Sequence, residues 1–350
     1  AVDGDGFVWV FSTSHGVGRP SFMHRSVRPY DIDDFQRVEP TRLEDGDAVP
    51  FTNFSYFQVR HISGEGFVAF MTRYGAPVTR TIGFIRSRDG ISWSEWQRLG
   101  VIEEGHYQVS EINDRKAGTA FNHHPEGKGV NWRTNLYYLE TRDLGQTWWT
   151  ADGTRVEPPV ADQHTPALVH DCEAEGLNVY MKDLAFDAND APVILYLTSR
   201  GYESGPENAP RTWRTARWNG SKWDIRPVTE SGSNYDTGCL HIEANGTWRV
   251  IGPTETGPQP FNPGGEVAMW VSNDRGESRR KEKQLPHARE RHHTYVRRPI
   301  GAHPDFYAFW ADGHARKPSE SRLYFGDRKG NVRVLPRIMD GDTMVPEIIV

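Results

Sequence analysis

The sequence predicts an all-β fold of the β-propeller class, and two observations lead to this prediction. Aromatic residues make up 12% of the chain, and 34 Gly and 23 Pro provide frequent turns, which is typical of many short strands. In addition, a hairpin of two alternating apolar segments recurs six times along the chain. A β-sandwich with chance repeats is the alternative fold.

Each repeat joins one strand-like segment to a second across a turn. The pairs are GFVWVFSTS with SFMHRS, GFVAFMTR with TIGFIRS, GTAFNHH with NLYYLET, PVILYLTS with TWRTARW, TWRVIGPT with VAMWVS, and DFYAFWAD with SRLYFGD. These six units predict six blades, or seven if the chain ends complete another, for instance with MVPEIIV at 344–350. We expect residues 1–350 to form a single domain.

A second repeated element is a turn that follows three of the hairpins. Its copies are SRDGISW from Ser87, TRDLGQTW from Thr141 and SNDRGESR from Ser272. The middle copy matches the Asp-box pattern Ser/Thr-x-Asp-x-Gly-x-Thr-Trp, the first is one residue shorter, and the third has Arg279 in place of Trp. This pattern suits a tight turn, since Asp accepts backbone N–H groups, Gly adopts positive φ and Trp covers the blade core.

One region departs from the repeat. Residues 150–177 are Pro-rich and show no clear strand pair, so we predict an insertion loop near the functional site. Two cysteines, Cys172 and Cys239, permit one disulfide without requiring it.

Charge and hydropathy exclude two classes of partner. A formal net charge of -6 without a broad basic field argues against nucleic acid, whose binding needs clustered Lys and Arg. No apolar run approaches the roughly 18 residues that a membrane helix needs. We therefore expect neither a nucleic-acid nor a membrane partner, and we expect a monomer.

The ends of the second strands are predicted to gather the functional side chains. In a four-stranded blade these ends share one mouth with the starts of the first strands, opposite the Asp-box turns. Adjacent residues of a strand point to opposite faces, so at most one of His123 and His124 easily faces this mouth. The candidates at second-strand ends are His15, Arg73, Tyr74, Asn122, His123, His124, Arg200, Tyr202, Glu255 and His314, and neighbouring strands add Lys182, Arg214, Arg217, His292 and Tyr295.

The opening segment DGDGFVWVFSTSHGVGRPSFMHRSVRPYDIDDF resembles the start of BNR-repeat propellers, and the Asp boxes extend this resemblance over most of the chain. The matching positions are Gly6, His15, Ser26, Pro29, Asp31 and Phe35. This group includes sialidases, ulvan and rhamnose-glucuronate lyases, and hydrolases that release rhamnose next to glucuronate. The resemblance implies a carbohydrate-active enzyme, secreted or periplasmic, whose substrate is an anionic polysaccharide or oligosaccharide.

For the lyases, the resemblance implies a His base and a Tyr acid from neighbouring blades, with cationic or amide groups offsetting the uronate carboxylate. The matching residues are His124 or His123 as base and Tyr202 as acid, with Arg214, Arg200 or Asn122 at the carboxylate. We expect β-elimination on a uronate-containing glycan.

Other activities stay open at this stage. His15 is similar to a histidine on which rhamnose-releasing hydrolases depend, and a sialidase-like hydrolase or a non-catalytic glycan-binding propeller are further alternatives. No cofactor is required by these mechanisms. A calcium or zinc ion stays open, because His123, His124, His292 and His293 could converge on one ion across blades.

Overall fold

The computed structural model describes residues 1–16, 18–75, 78–285 and 290–349. Over these ranges the secondary structure is β-sheet, almost all of it antiparallel, with one short 3-10 helix at Pro206–Asn208. The chain forms two compact units, Ala1–Asp171 and Cys172–Val350. None of the helices in the described ranges is long and apolar enough to cross a bilayer. The predicted all-β class is confirmed.

The first unit contains three sheets. The first sheet has the order β1 (Trp9–Ser12), β2 (Phe22–Ser26), β3 (Phe35–Val38). The second consists of β4 (Thr41–Glu44), β5 (Asp47–Pro50), β6 (Ser55–Ile62), β7 (Gly66–Tyr74), β8 (Arg80–Ser87), β9 (Ser92–Trp93) and β10 (Gln97–Gly100). The third consists of β11 (Gln108–Asn113), β12 (Lys116–His123), β13 (Thr134–Thr141), β14 (Trp148–Trp149), β15 (Arg155–Val156) and β16 (Leu168–His170).

The second unit contains three more sheets, each an antiparallel meander in chain order. The fourth sheet consists of β17 (Asn178–Phe186), β18 (Pro192–Ser199), β19 (Thr212–Trp218) and β20 (Trp223–Glu230). The fifth consists of β21 (Cys239–Ile242), β22 (Trp248–Glu255), β23 (Glu266–Ser272) and β24 (Arg280–Gln284). The sixth consists of β25 (His292–Arg297), β26 (Ala308–Gly313), β27 (Leu323–Gly326), β28 (Val332–Val334) and β29 (Glu347–Ile349).

All six predicted hairpins are antiparallel strand pairs: β1 with β2, β7 with β8, β12 with β13, β18 with β19, β22 with β23, and β26 with β27. Five of the six sheets in the described residues have four or more strands, which is the size of a propeller blade. The count of six or seven full blades is not confirmed. The C-terminal segment proposed for a seventh blade forms β29 at the edge of the sixth sheet, and Val350 lies outside the described residues.

The apolar pattern of β7 shows how a central strand is buried on both faces. Phe67, Ala69 and Met71 belong to a core shared with the first sheet, which contributes Trp9 and Met23. The intervening Val68 and Phe70 point the opposite way, into a second core completed by the third sheet. Because side chains alternate across a strand, a continuous apolar run fits a strand with sheets packed on both sides.

The predicted Asp-box turns are present, each between the third and fourth strands of a blade. In the middle copy, Asp143 Oδ1 accepts the Thr147 N–H at 2.9 Å and Gly145 has φ 84°. Trp148 is 1% exposed in the core beneath. In the third copy Arg279 lies over the Trp248 ring, with its Cζ 5.9 Å from the centroid, so a guanidinium replaces the missing indole as the cover.

Residues 150–177 are more ordered than the sequence predicted. The segment contains β15 and β16, which pair with β14 and β13 and extend the third sheet. The sequence did not predict these two strands because they are only two and three residues long. Cys172 and Cys239 are both buried, and no disulfide joins them.

Candidate functional site

The first unit gathers aromatic, histidine and arginine side chains after β1, at the ends of β7 and β12, and at the starts of the strands that pair with β7 and β12. We call this group the Arg–Tyr–His cluster. Antiparallel pairing explains the location, since the end of one strand and the start of the next share one edge of the sheet. Its members are His15, Tyr56, Tyr74, Arg80, Tyr107, His124 and Arg133.

The exposed side of the cluster is a His–Tyr pair. His15 Nε2 lies 3.2 Å from the Tyr56 hydroxyl, and the Tyr74 ring lies 6.2 Å from the His15 ring. Burial raises the pKa of Tyr56 to about 12, with smaller contributions from Tyr107 and Tyr74. The Tyr56 phenol is therefore protonated at neutral pH and can donate a proton.

Two guanidinium groups lie against one aromatic ring. Arg80 Cζ is 4.3 Å and Arg133 Cζ is 4.0 Å from the centroid of Tyr107. The Arg80 side chain also lies near Tyr74 and Tyr56, at 5.5 and 5.8 Å. Arg80 is 9% exposed, and within the described residues its Nε and Nη1 are buried without hydrogen-bond partners. A buried cation in this state favours an anionic ligand.

His124 lies beneath the arginines and is 1% exposed. Its ring centroid is 5.2 Å from that of Tyr107, and its Nε2 has no hydrogen-bond partner in the described part of the chain. Burial, followed by the charges of Arg133 and Arg80, lowers the pKa of His124 to about 2. The imidazole is therefore neutral, and in the tautomer protonated at Nδ1 its Nε2 can accept a proton.

A short backbone segment, residues 104–106, joins Arg80 to His124. Glu104 N–H donates to the His124 carbonyl at 3.1 Å, and His124 N–H donates to the Gly105 carbonyl at 2.8 Å. The Arg80 N–H donates to the Glu104 carbonyl, and the His106 N–H donates to the Arg80 carbonyl at 3.0 Å. Gly105 is needed because its φ is +142° and an added Cβ would lie 2.6 Å from the Arg80 carbonyl oxygen.

His123 points away from the cluster, as the alternation predicted. It is fully buried, with Nδ1 3.3 Å from the Tyr137 hydroxyl and Nε2 3.6 Å from Glu103 Oε2. Burial lowers its pKa to about 4, against the opposing effect of Glu103. Asn122 is also buried, and its Oδ1 accepts the Tyr107 N–H at 2.9 Å, so it positions Tyr107 from below.

Most of the predicted residues of the second unit have partners of their own. Arg200, Glu255, His292 and His314 lie at or next to strand ends, whereas Lys182, Arg214 and Tyr295 lie within β17, β19 and β25. Arg217 pairs with Asp187 at 2.8 Å, Glu255 with Lys281 at 2.9 Å, and the buried Lys182 donates to the Asn234 carbonyl at 2.6 Å. Three residues expected to bind substrate are thus held by ion pairs or hydrogen bonds that stabilise the unit.

The other predicted residues of this unit differ in exposure. Arg214 Nε donates to the Thr198 hydroxyl at 3.0 Å, and the buried His292 accepts the Gln259 N–H at 2.7 Å. The remaining four are Arg200, which is exposed, Tyr202 and His314, which are half-buried, and Tyr295, which is 60% exposed. The role of Tyr202 as an acid stays a prediction.

The sequence candidates omitted both arginines of the cluster. Arg80 begins β8 and pairs in register with Tyr74, while Arg133 directly precedes Thr134, which pairs with His123. A third strand begins at the edge of the sheet where the second strand ends. The starts of the third strands are therefore also expected to face the site, and these positions include Arg80 and Arg133.

No metal centre is evident in the described ranges, where no three His, Cys, Asp or Glu side chains gather as ligands. The four histidines considered for an ion, His123, His124, His292 and His293, are each buried within their own unit. His123 is the last residue of β12 and His124 directly follows it, so their rings lie on opposite faces.

Comparison with protein families gives a match to the BNR repeat-containing family over residues 1–231. The chain belongs to this family. The match covers the first unit with all residues of the Arg–Tyr–His cluster and extends into the second unit. The resemblance expected from the Asp boxes is confirmed.

Solved structures of other proteins show a similar fold. An ulvan lyase of the polysaccharide lyase family PL25 matches 94% of this chain and 78% of its own, with 18% identity and a TM-score of 0.72. The same enzyme bound to -[GlcA(1-4)Rha3S]- matches with a TM-score of 0.71, again at 18% identity with 94% and 78% covered. The polysaccharide lyase Uly1 matches with a TM-score of 0.59 at 11% identity, over 91% of this chain and 74% of its own. No curated protein sequence matches the chain.

Proposed function

We propose that this protein is a carbohydrate-active enzyme of the polysaccharide lyase type, which cleaves a uronate-containing glycan by β-elimination. The observation that carries the proposal is the joint placement of two guanidinium groups, a neutral imidazole and a protonated phenol in one cluster. The likeness in fold to polysaccharide lyases supports this choice of chemistry.

In the proposed mechanism, Arg80 and Arg133 bind the uronate carboxylate. Elimination draws electron density from C5 toward this carboxylate, so a cationic site lowers the barrier by stabilising the developing charge. The unpaired nitrogens of Arg80 give this interaction its donors. Because the arginine is already desolvated, little further desolvation is needed when the substrate binds.

His124 is the proposed base. In the free protein its pKa is about 2, first through burial and then through Arg133 and Arg80, which makes the imidazole a weak base. A bound carboxylate offsets both arginine charges and therefore raises the pKa of His124. The substrate itself would thus increase the basicity of the group that removes its C5 proton.

Tyr56 is the proposed acid. The electrons of the C5–H bond form the C4–C5 double bond, the C4–O4 bond breaks, and the departing oxygen takes the Tyr56 proton. His15, exposed and hydrogen-bonded to Tyr56, can return a proton from solvent. This differs from the sequence prediction, which placed the acid at Tyr202.

The proposed substrate class is an anionic polysaccharide of the ulvan type, since the likeness to the ulvan lyase complex favours alternating uronate and rhamnose. Such a polysaccharide is met outside the cytoplasm, which agrees with the expected secreted or periplasmic location. Release of rhamnose by hydrolysis is the second candidate, because His15 is exposed beside Tyr56 and Tyr74 and is therefore accessible to a terminal sugar.

The test is to incubate the protein with ulvan and with rhamnose-glucuronate oligosaccharides, following the ultraviolet absorbance of unsaturated uronate and the release of free rhamnose. A rise in absorbance that is lost in His124→Gln supports elimination. Free rhamnose without this absorbance, lost in His15→Ala but not in His124→Gln, would replace the lyase proposal with hydrolysis.

A further inference from the structure

We propose that a second anion-binding subsite adjoins the Arg–Tyr–His cluster and binds the neighbouring sugar of the glycan through an anionic substituent, either a sulfate ester or a carboxylate. We call it the Arg73 pocket. The inference rests on the proposed function only in taking the occupant to be the next unit of the same glycan. Its main lining residues are Arg42, Asn53, Met71, Arg73, Tyr74 and Trp96.

The pocket shares Tyr74 with the cluster and has a second wall residue bonded to the segment that carries His15. Tyr74 lines the pocket and lies 6.2 Å from His15, ring to ring. Ser55 also lines it, and the Ser55 hydroxyl accepts the Gly16 N–H at 3.1 Å next to His15. A glycan bound at the cluster can therefore pass over Tyr74 into the pocket without leaving the protein surface.

The size and floor of the pocket fit one sugar ring. Its volume is about 240 Å³, below the ~300–1,000 Å³ of sites for drug-sized ligands. Phe51, Phe54, Met71 and Ile85 line its inner part and belong to the core between the first two sheets. These apolar groups suit the apolar face of a sugar and provide a rigid base.

The pocket has two arginines, and only one of them has an ion-pair partner within the described residues. Arg42 is paired with Glu44, with Nη2 and Oε1 2.9 Å apart. Arg73 is exposed and has no ion pair within the described residues, although its charge also acts on Glu44. Two arginines thus share one carboxylate, which leaves one positive charge in excess.

Arg73 is also oriented. Its Cζ lies 5.1 Å from the centroid of the Trp96 ring, which supports the guanidinium at the wall of the pocket. A planar guanidinium held on an aromatic face loses less conformational freedom on binding and can donate two parallel hydrogen bonds to an oxyanion. This geometry favours a sulfate or carboxylate over a neutral hydroxyl.

The test compares equilibrium binding of three probes by calorimetry: an ulvan tetrasaccharide, its chemically desulfated form and its carboxyl-reduced form. Binding is measured in His124→Gln, which prevents turnover, with and without Arg73→Gln. We expect Arg73→Gln to raise Kd for the sulfated probe about tenfold, the loss expected for one charge-assisted interaction. Arg155→Gln, which removes an exposed arginine from the outer strand β15, is the matched control and should leave Kd unchanged.

The probes separate the two anions. If Arg73→Gln raises Kd only for the sulfated probes, the subsite binds sulfate. If the rise in Kd is absent only for the carboxyl-reduced probe, the subsite binds a carboxylate. Equal Kd values for Arg73→Gln and its parent on all three probes overturn the subsite. Product formation is measured separately, with His124 intact. Arg73-dependent binding together with no unsaturated product from the wild-type protein refutes the lyase proposal alone, whereas product from the wild-type protein together with Arg73-independent binding refutes the subsite alone.

Discussion

Arg80 in the first unit and Arg217 in the second are both largely buried arginines near a strand end, yet their surroundings are opposite. Arg217 donates from Nε and Nη2 to Asp187 at 2.9 and 2.8 Å. Arg80 lies among the rings of Tyr56, Tyr74 and Tyr107, and two of its nitrogens have no partner in the described residues. A paired arginine stabilises the fold, whereas an unpaired one has its charge available for a ligand.

The histidines repeat this contrast. His124 lies beside the arginines with Nε2 unbonded within the described chain, while His241 of the second unit stacks on Tyr307 with 3.7 Å between ring centroids. Both are buried and neutral, because burial lowers the pKa of His124 to about 2 and that of His241 to about 3. The location of a buried histidine, rather than its pKa alone, therefore distinguishes a reactive group from a packing group.

The largest expected effect is on catalysis by His124→Gln. Removal of a general base costs about 10²–10⁴ in rate, and we expect kcat/KM for unsaturated-uronate formation to fall within that range. His241→Gln is the matched control, with activity retained in whatever fraction is folded. Equal losses in specific activity of the folded protein would show that the contrast between these histidines is wrong.

A smaller loss is expected for Arg80→Gln, about 10²–10³ in kcat/KM, which is typical when a group stabilising a developing negative charge is removed. Thermal stability should be unchanged or higher, since an unpaired buried charge disappears.

Arg217→Gln should show the reverse pattern. It leaves Asp187 partly buried without its partner, and because the pair is only partly screened from water we expect a loss of about 2 kcal/mol in unfolding free energy. Kinetic constants should stay near wild type. Urea unfolding and initial rates are measured on both arginine variants. If Arg80→Gln does not lose mainly activity and Arg217→Gln mainly stability, the presence of an ion pair does not distinguish a ligand-binding arginine from a structural one.

Gly105→Ala tests whether the 104–106 segment sets the distance between Arg80 and His124. The new Cβ would meet the Arg80 carbonyl at 2.6 Å and would require φ +142°. We expect a stability loss of about 2 kcal/mol from the strained backbone, together with reduced activity. Gly127→Ala, at φ +71° with open space around it, is the control and should cost only about 1 kcal/mol with activity intact.

The smallest effect expected from a single residue is the contribution of one buried histidine to the pH dependence of stability. Burial lowers the pKa of His106 to about 3, of His123 to about 4, of His124 to about 2 and of His241 to about 3, from the ordinary 6.5. Below pH 6.5 the unfolded chain takes up these protons before the folded protein does, so stability falls as pH decreases toward 4. Each histidine contributes a slope of about 1.4 kcal/mol per pH unit.

Urea unfolding between pH 7 and 5 checks this dependence. His124→Gln and His241→Gln should each reduce the slope by about one proton and to the same extent, because both imidazoles are neutral in the folded protein. A change in only one of the two variants would contradict the shared burial of these groups.

Much of the fold was predictable from sequence because its signals are local. Strand alternation located all six hairpins, and the spacing of Asp, Gly and Trp located the turns after β8, β13 and β23. The short strands within 150–177 were missed because they are stabilised by pairing with the third sheet and not by their own pattern. Strands of two or three residues have too little periodicity to be detected.

The sequence by itself determined the all-β class, the Asp-box turns and the edge of each sheet where polar strand ends meet, since these depend on neighbours along the chain. Only the tertiary structure decided which of those polar residues has a partner. The sequence alone does not distinguish Arg80 from Arg217. In the structure Arg80 lies against aromatic rings and Arg217 pairs with a carboxylate, because strands distant in sequence pack beside them. Burial without a partner, which indicates a ligand site, is a property of that packing.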